Sequence, residues 1–146
     1  MGDNKNKEAN SIKFYRGHSN LQYKLNSGIH RNKNIDKEYR LYNEMLVRNP
    51  EMFKNTNNIE KLVIMQHHGS YTRLLDVTTN PLVALYFACD ASDDAKSGKV
   101  YVFDVDENQV CYSYSDKVLM LSCLPRLGTE HKKELFNKII KEYIIN

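Results

Sequence analysis

Ile12 and Phe14 alternate with Lys13 and Tyr15 in the run S-I-K-F-Y-R at 11–16. That two-residue period predicts a short strand, with Gly17 as its end. Residues 28–34 read as loop. Over 35–48 the apolar positions move to 3/4 spacing, with Tyr39, Tyr42, Met45 and Leu46 on one face. This predicts a helix that Pro50 stops. A second helix is predicted over 57–67, carrying Ile59, Leu62, Val63 and Met65, with Gly69 as its stop. Residues 72–78 read as extended. Thr79-Asn80-Pro81 is a helix start, a capping side chain followed by Pro at the first helical position. The helix it opens runs over 82–91 with Val83, Ala84, Phe87 and Ala88 turned inward. A charged turn at 93–98 leads to the clearest strand, K-V-Y-V-F-D-V at 99–105. Residues 110–114 are expected to pair with it, and 117–122 to form another strand. An amphipathic helix over 130–145 closes the chain, with Leu135, Phe136, Ile139, Ile140 and Tyr143 inward. Strands distant in sequence and separated by helices predict an α+β fold, a small mixed or antiparallel sheet flanked by helices.

Composition narrows the class. A chain of 146 residues with 41% hydrophobic and 27% charged positions suits one soluble domain. Residues 1–10 are polar and are expected to form a disordered tail, leaving 11–146 as the domain. The tail has no apolar core of a signal peptide, and no apolar run approaches a membrane span, so a cytoplasmic protein is expected. Abundant Asn, Lys, Ile and Tyr suggest AT-rich coding, as in a low-GC bacterium or its phage. The net charge of +3 is spread along the chain, which argues against a dedicated polyanion-binding tail. Cys89, Cys111 and Cys123 are odd in number and widely spaced, as reduced thiols would be.

Three stretches concentrate chemistry. In Tyr15-Arg16-Gly17-His18-Ser19 a guanidinium fork stands beside backbone N–H groups. Phosphate or carboxylate oxygens suit that pairing; an ordinary surface Arg before a turn has the same local sequence. The run Gln66-His67-His68-Gly69-Ser70-Tyr71-Thr72-Arg73 crowds polar groups at a helix end. His67 and His68 are adjacent and point in different directions, so they are poor joint ligands, and no metal is expected. Either suits general acid–base work, or a plain cap of the helix C-terminus. Third, Asp76, Thr78, Thr79 and Asn80 lie directly before a helix N-terminus, where they orient a polar ligand or cap the helix. There is no phosphate-binding P-loop, no G-x-G-x-x-G and no hydrolase-type G-x-S-x-G.

Those stretches carry a resemblance. F-Y-R-G-H at 14–18, Q-H-H-G-S-Y-T-R-L-L-D-V-T-T-N-P-L-V-A-L-Y-F-A at 66–88, K-V-Y-V-F at 99–103 and S-D-K-V-L-M-L-S at 115–122 resemble the FRG domain family of bacteria and phages. The resemblance implies a setting in phage–host conflict. A second resemblance is to ADP-ribosyltransferases of the Arg-Ser-Glu class, in the order strand–Arg-Gly, helices, then Asn-Pro-x-Val-Ala. It implies an ADP-ribosyltransferase-like fold with NAD as cofactor and a nucleotide-like small molecule in a polar cleft. Arg16 would hold the pyrophosphate or ribose, and Asp76 and Thr78 the nicotinamide-ribose side. His67 and His68 complete the catalytic candidates with Arg16 and Asp76. Tyr15, Gly17, His18, Gln66, Gly69, Thr72, Arg73, Thr79 and Asn80 join Thr78 as binding candidates. Asp76 stands where that class has Ser, and its late Glu motif has no counterpart beyond Glu130, Glu134 and Glu142 on the last predicted helix. The alternative is a non-catalytic sensor module for a ligand or nucleic acid. Typical family members continue past this point, so the domain is expected to be incomplete at its C-terminus. An open sheet edge would then favour a homodimer.

Overall fold

The computed structural model describes residues 10–90 and 97–135. Within them the fold is α+β: five helices, a further helical stretch at 129–135, and one two-stranded antiparallel sheet. The chain divides into two compact units, and each is built from two separate segments. Unit 1 takes residues 1–25 and 76–111; unit 2 takes residues 26–75 and 112–146. Among the described residues no helix is long and apolar enough to cross a membrane.

Unit 1 is built on β1 (Ser11–His18), β2 (Lys99–Asp106) and α4 (Pro81–Cys89). The two strands pair from Ser11 opposite Asp106 to His18 opposite Lys99. β1 runs two residues past the end read from the sequence, because Gly17 lies within the strand rather than closing it. A Cβ on Gly17 would come within 1.8 Å of the Ala84 carbonyl oxygen of α4. Gly98 is held in the same way, with a Cβ there 2.0 Å from the Ala88 oxygen. The helix thus lies against Gly17 of β1 and against Gly98, directly before β2, with Ala84 and Ala88 as its buried stripe. Val83 and Phe87, expected inside, are exposed, since the close crossing admits only small side chains. The start of α4 is as expected: the Asn80 side chain accepts from Leu82 N, and Pro81 follows.

Unit 2 holds a core of Tyr42, Phe53, Leu62 and Met65, with Met45, Leu46, Ile64 and Leu74 packed against it. α2 (Glu38–Arg48) is preceded by a 3₁₀ turn at Ile35–Lys37, so the predicted helix begins with a tighter turn. α3 (Asn58–His67) starts at a capping box in which Asn57 and Glu60 satisfy each other's backbone N–H groups. It ends as expected at Gly69, whose φ of 80° is the left-handed conformation glycine adopts cheaply. A single helical turn, α1 (Gly28–Arg31), occupies part of the expected loop.

Three predicted strands are absent from the described residues. Residues 72–78 form no strand; only Thr78 bridges to Tyr15. Residues 110–114 are irregular, and the partner of β2 is β1. Residues 117–122 belong to a helix, α5 (Asp116–Ser122), whose N-cap Ser115 accepts from Val118 N. An apolar run of that length fits strand or helix equally, and the cap decides it. The closing helix is seen at 129–135. Its remainder, with Phe136, Ile139, Ile140 and Tyr143, lies outside the described residues, as do the tail at 1–9 and most of the turn at 93–98.

Candidate functional site

The sequence-predicted residues fall in both units, and each group is built locally. In unit 1, antiparallel register places Phe14, Arg16 and His18 opposite Phe103, Tyr101 and Lys99, so all six share one face of the sheet. Arg16 Nε donates to His18 Nε2 at 3.0 Å, and Arg16 Nη1 donates to the Asp76 carbonyl oxygen at 2.5 Å. A guanidinium only donates, so His18 accepts at Nε2 and is in the neutral tautomer with its proton on Nδ1. The His18 ring is buried, with the edge of Tyr101 at 5.1 Å and Tyr23 at 6.2 Å between centroids. Lys99 Nζ sits 5.0 Å from the Tyr101 ring centre and donates to the Leu21 carbonyl at 2.5 Å.

The turn beneath Arg16 is tied to the same strand. Tyr15 and Thr78 exchange backbone hydrogen bonds of 2.7 and 2.9 Å. Thr78 Oγ1 then accepts from Asn80 N at 3.1 Å, and Asn80 Oδ1 from Leu82 N at 2.9 Å. The side chains of Thr78 and Asn80 therefore shape the turn and cap α4. Thr79 and Asp76 are exposed. Tyr15 and Gly17 belong to the opposite face of β1 from Arg16, the face that α4 crosses at Gly17.

In unit 2, Gln66, His67, His68, Gly69, Thr72 and Arg73 follow one another around the end of α3. His67 and His68 are exposed, and their rings meet edge to face at 5.4 Å. Thr72 is buried; its hydroxyl donates to Gln66 Oε1 and accepts from Leu74 N at 3.1 Å, while its carbonyl accepts from Ile29 N. Arg73 makes a two-bond fork on Glu38, with Nε to Oε1 at 2.6 Å and Nη2 to Oε2 at 2.7 Å. Lys132 Nζ adds a third bond to Glu38 Oε2 at 2.6 Å. The Glu38 side chain is 3% exposed. Burial pushes its pKa up, but the hydrogen bonds and charges of Arg73 and Lys132 outweigh that, and the carboxyl sits below the usual glutamate range. Arg73 and Thr72 thus have structural work inside unit 2.

Arg16, His18, Asp76 and Thr78 are brought together in unit 1, while His67, His68, Thr72 and Arg73 belong to unit 2. Sequence reasoning missed Glu38, Tyr23, Lys99 and Tyr101. The alternation of β2 carries the signal for Tyr101 and Lys99, once β1 is known as its partner. Nothing local marks Glu38, whose partners are 35 and 94 residues away. Among the described residues no group of His, Cys, Asp or Glu has an arrangement suited to a metal ion.

Compared with known proteins, the chain is matched over residues 11–97 by the family model described as FRG domain. No curated protein and no solved structure matches it.

Proposed function

The chain belongs to the FRG domain family, and on that premise we propose that unit 1 binds a phosphate-bearing nucleotide through Arg16, with NAD as the first ligand to test. One observation carries the reading: the Arg16 guanidinium is held at two corners, by His18 and by the Asp76 carbonyl. A fork oriented before the ligand arrives loses less entropy when it closes on two phosphate oxygens. His18, neutral by its hydrogen bond, orients that fork without adding a competing charge. Asp76, whose backbone carbonyl makes that contact, is the second residue the reading brings to the site.

The enzymatic form of this reading is an NAD-dependent ADP-ribosyltransferase or NAD-cleaving reaction. The bond between nicotinamide and ribose breaks, nicotinamide leaves with the bonding electrons, and an acceptor or water takes the ribose carbon. A carboxylate near that carbon is needed to stabilise its developing positive charge. A second reading, a sensor that binds nucleotide or nucleic acid without cleaving it, is favoured by where two glutamates fall. Glu38 is committed to Arg73 and Lys132, and Glu130 is exposed and paired with Lys133. Either form is proposed to act in phage–host conflict, which rests on the family resemblance.

Titration calorimetry with NAD, ADP-ribose, ATP and a short single-stranded DNA tests the proposal on wild type and Arg16→Ala. Heat with a nucleotide that vanishes in Arg16→Ala supports it; no heat with any of them removes it. Nicotinamide release then separates the enzyme from the sensor.

A further inference from the structure

We propose that unit 1 is an interface for a second copy of this chain, which adds β2 to β2 across the open edge of the sheet and covers the apolar flanks of α4. The first observation is α4 itself. Its sequence, P-L-V-A-L-Y-F-A-C, has no charged residue, yet only Ala84 and Ala88 are buried. Leu82, Val83, Leu85, Tyr86 and Phe87 are 70%, 40%, 50%, 65% and 53% exposed. At 100° per residue they occupy a continuous arc of about 200° around the helix. A helix that is apolar all round normally lies in an interior.

The second observation is independent of the first. Among the described residues β2 has one strand partner, β1, so its other edge presents an unpaired ladder eight residues long. Val100 lies opposite Gly17, on the face that α4 crosses, and Val102 shares that face; they are 37% and 58% exposed. The open edge therefore adjoins an apolar floor, with the α4 helix beside it.

A second copy fits this surface on three counts. An antiparallel two-fold pairing of β2 with itself allows a register in which Val100 of each copy lies opposite Val102 of the other, making one four-valine floor. The two β1 strands would then stand three strand spacings apart, about 14 Å. Helices over them pack when their axes are about 8–10 Å apart, and the large side chains of α4 fill the difference. Area agrees as well. With aromatic side chains of about 150–250 Å² each, the exposed α4 and β2 residues present on the order of 600–700 Å² per copy. A stable interface takes about 800 Å² per partner, and the backbone of the paired edges supplies the rest. The chain's net charge of +3 is too small to oppose the pairing.

The experiment is light scattering and sedimentation velocity on the full chain over a hundredfold concentration range. Twice the mass of one chain at high concentration, dissociating on dilution, is expected. Val102→Lys and Tyr86→Glu, both at exposed positions, are each expected to weaken the dimer at least tenfold with unchanged circular dichroism. Val47→Lys, at an exposed position of α2, is expected to have no effect. A monomer at every concentration, dimerisation by both variants as in wild type, or an equal loss with Val47→Lys overturns the proposal. Hydrogen exchange of wild type gives a check that needs no variant: β2 amides are expected to gain protection with concentration, and no change there overturns it equally.

Discussion

Arg16 reaches across sixty residues of chain to the backbone of Asp76, its Nη1 lying 2.5 Å from the carbonyl oxygen. The bond is to a peptide oxygen, and it joins the two motifs that dominate the sequence. With the bond to His18 it fixes the plane of the guanidinium. Arg16→Lys keeps the charge but has one donor centre where Arg16 uses two. It is expected to weaken nucleotide binding about tenfold, roughly 1.4 kcal/mol, and Arg16→Ala to weaken it further. Calorimetry with NAD reads both.

Among the described residues of unit 2, Glu38 is the one buried carboxylate, and it holds two cations. Glu38→Ala leaves Arg73 and Lys132 together without their anion. Removing one member of such a buried set typically costs about 3–5 kcal/mol. Urea denaturation of the two proteins at neutral pH should show a lower midpoint for Glu38→Ala and an unfolding free energy smaller by about that amount.

The same carboxyl gives stability a pH dependence of known sign. Its folded pKa lies below the unfolded one, as burial is outweighed by Arg73 and Lys132. The unfolded chain therefore binds its proton first as pH falls. The stabilisation is fully present above the unfolded value and is lost as pH drops through the folded one. Denaturation midpoints measured from neutral to acid pH should fall more steeply for wild type than for Glu38→Gln, in which the carboxyl no longer titrates.

Gly17 and Gly69 are expected to respond to alanine for different reasons. At Gly17 the new methyl meets the Ala84 carbonyl at 1.8 Å, a backbone atom that cannot turn aside. Gly17→Ala should cost at least the ~1–3 kcal/mol of overpacking and force β1 and α4 apart. At Gly69 nothing lies within 4 Å, and only the φ of 80° resists. Gly69→Ala should cost about 1 kcal/mol. Hydrogen exchange should localise the first effect to β1 and α4, and the second to the end of α3.

The sequence made some of this legible and concealed the rest for physical reasons. Short-range rules succeeded where one side chain satisfies one nearby backbone group. Asn57, Asn80 and Gly69 were read correctly as a helix start, a helix start and a helix stop. Periodicity failed at 117–122, where an unbroken apolar run has no period to read and Ser115 settled the outcome. It failed again at Val83 and Phe87, because apolar character says a residue prefers burial, not that a partner is present to bury it. Gly17 was misread because a glycine that ends a strand and one that admits a crossing helix look alike in one dimension. Of the candidate site, Arg16 and Asp76 were set side by side only by the resemblance, and the bond from Arg16 to the Asp76 carbonyl joins them in unit 1. Glu38 did not, since its partners are set by the tertiary fold alone.

The two units interleave along the chain, each supplying two of four successive segments. No single cut releases either one whole. A truncation after residue 75 or 111 strips one unit or both of a required segment, and a fragment beginning at residue 26 has lost β1. Residues 11–97, the stretch the family model recognises, span parts of both units and hold neither unit complete. During synthesis β1 waits for β2 until residue 106 is made, and Glu38 meets Lys132 later still.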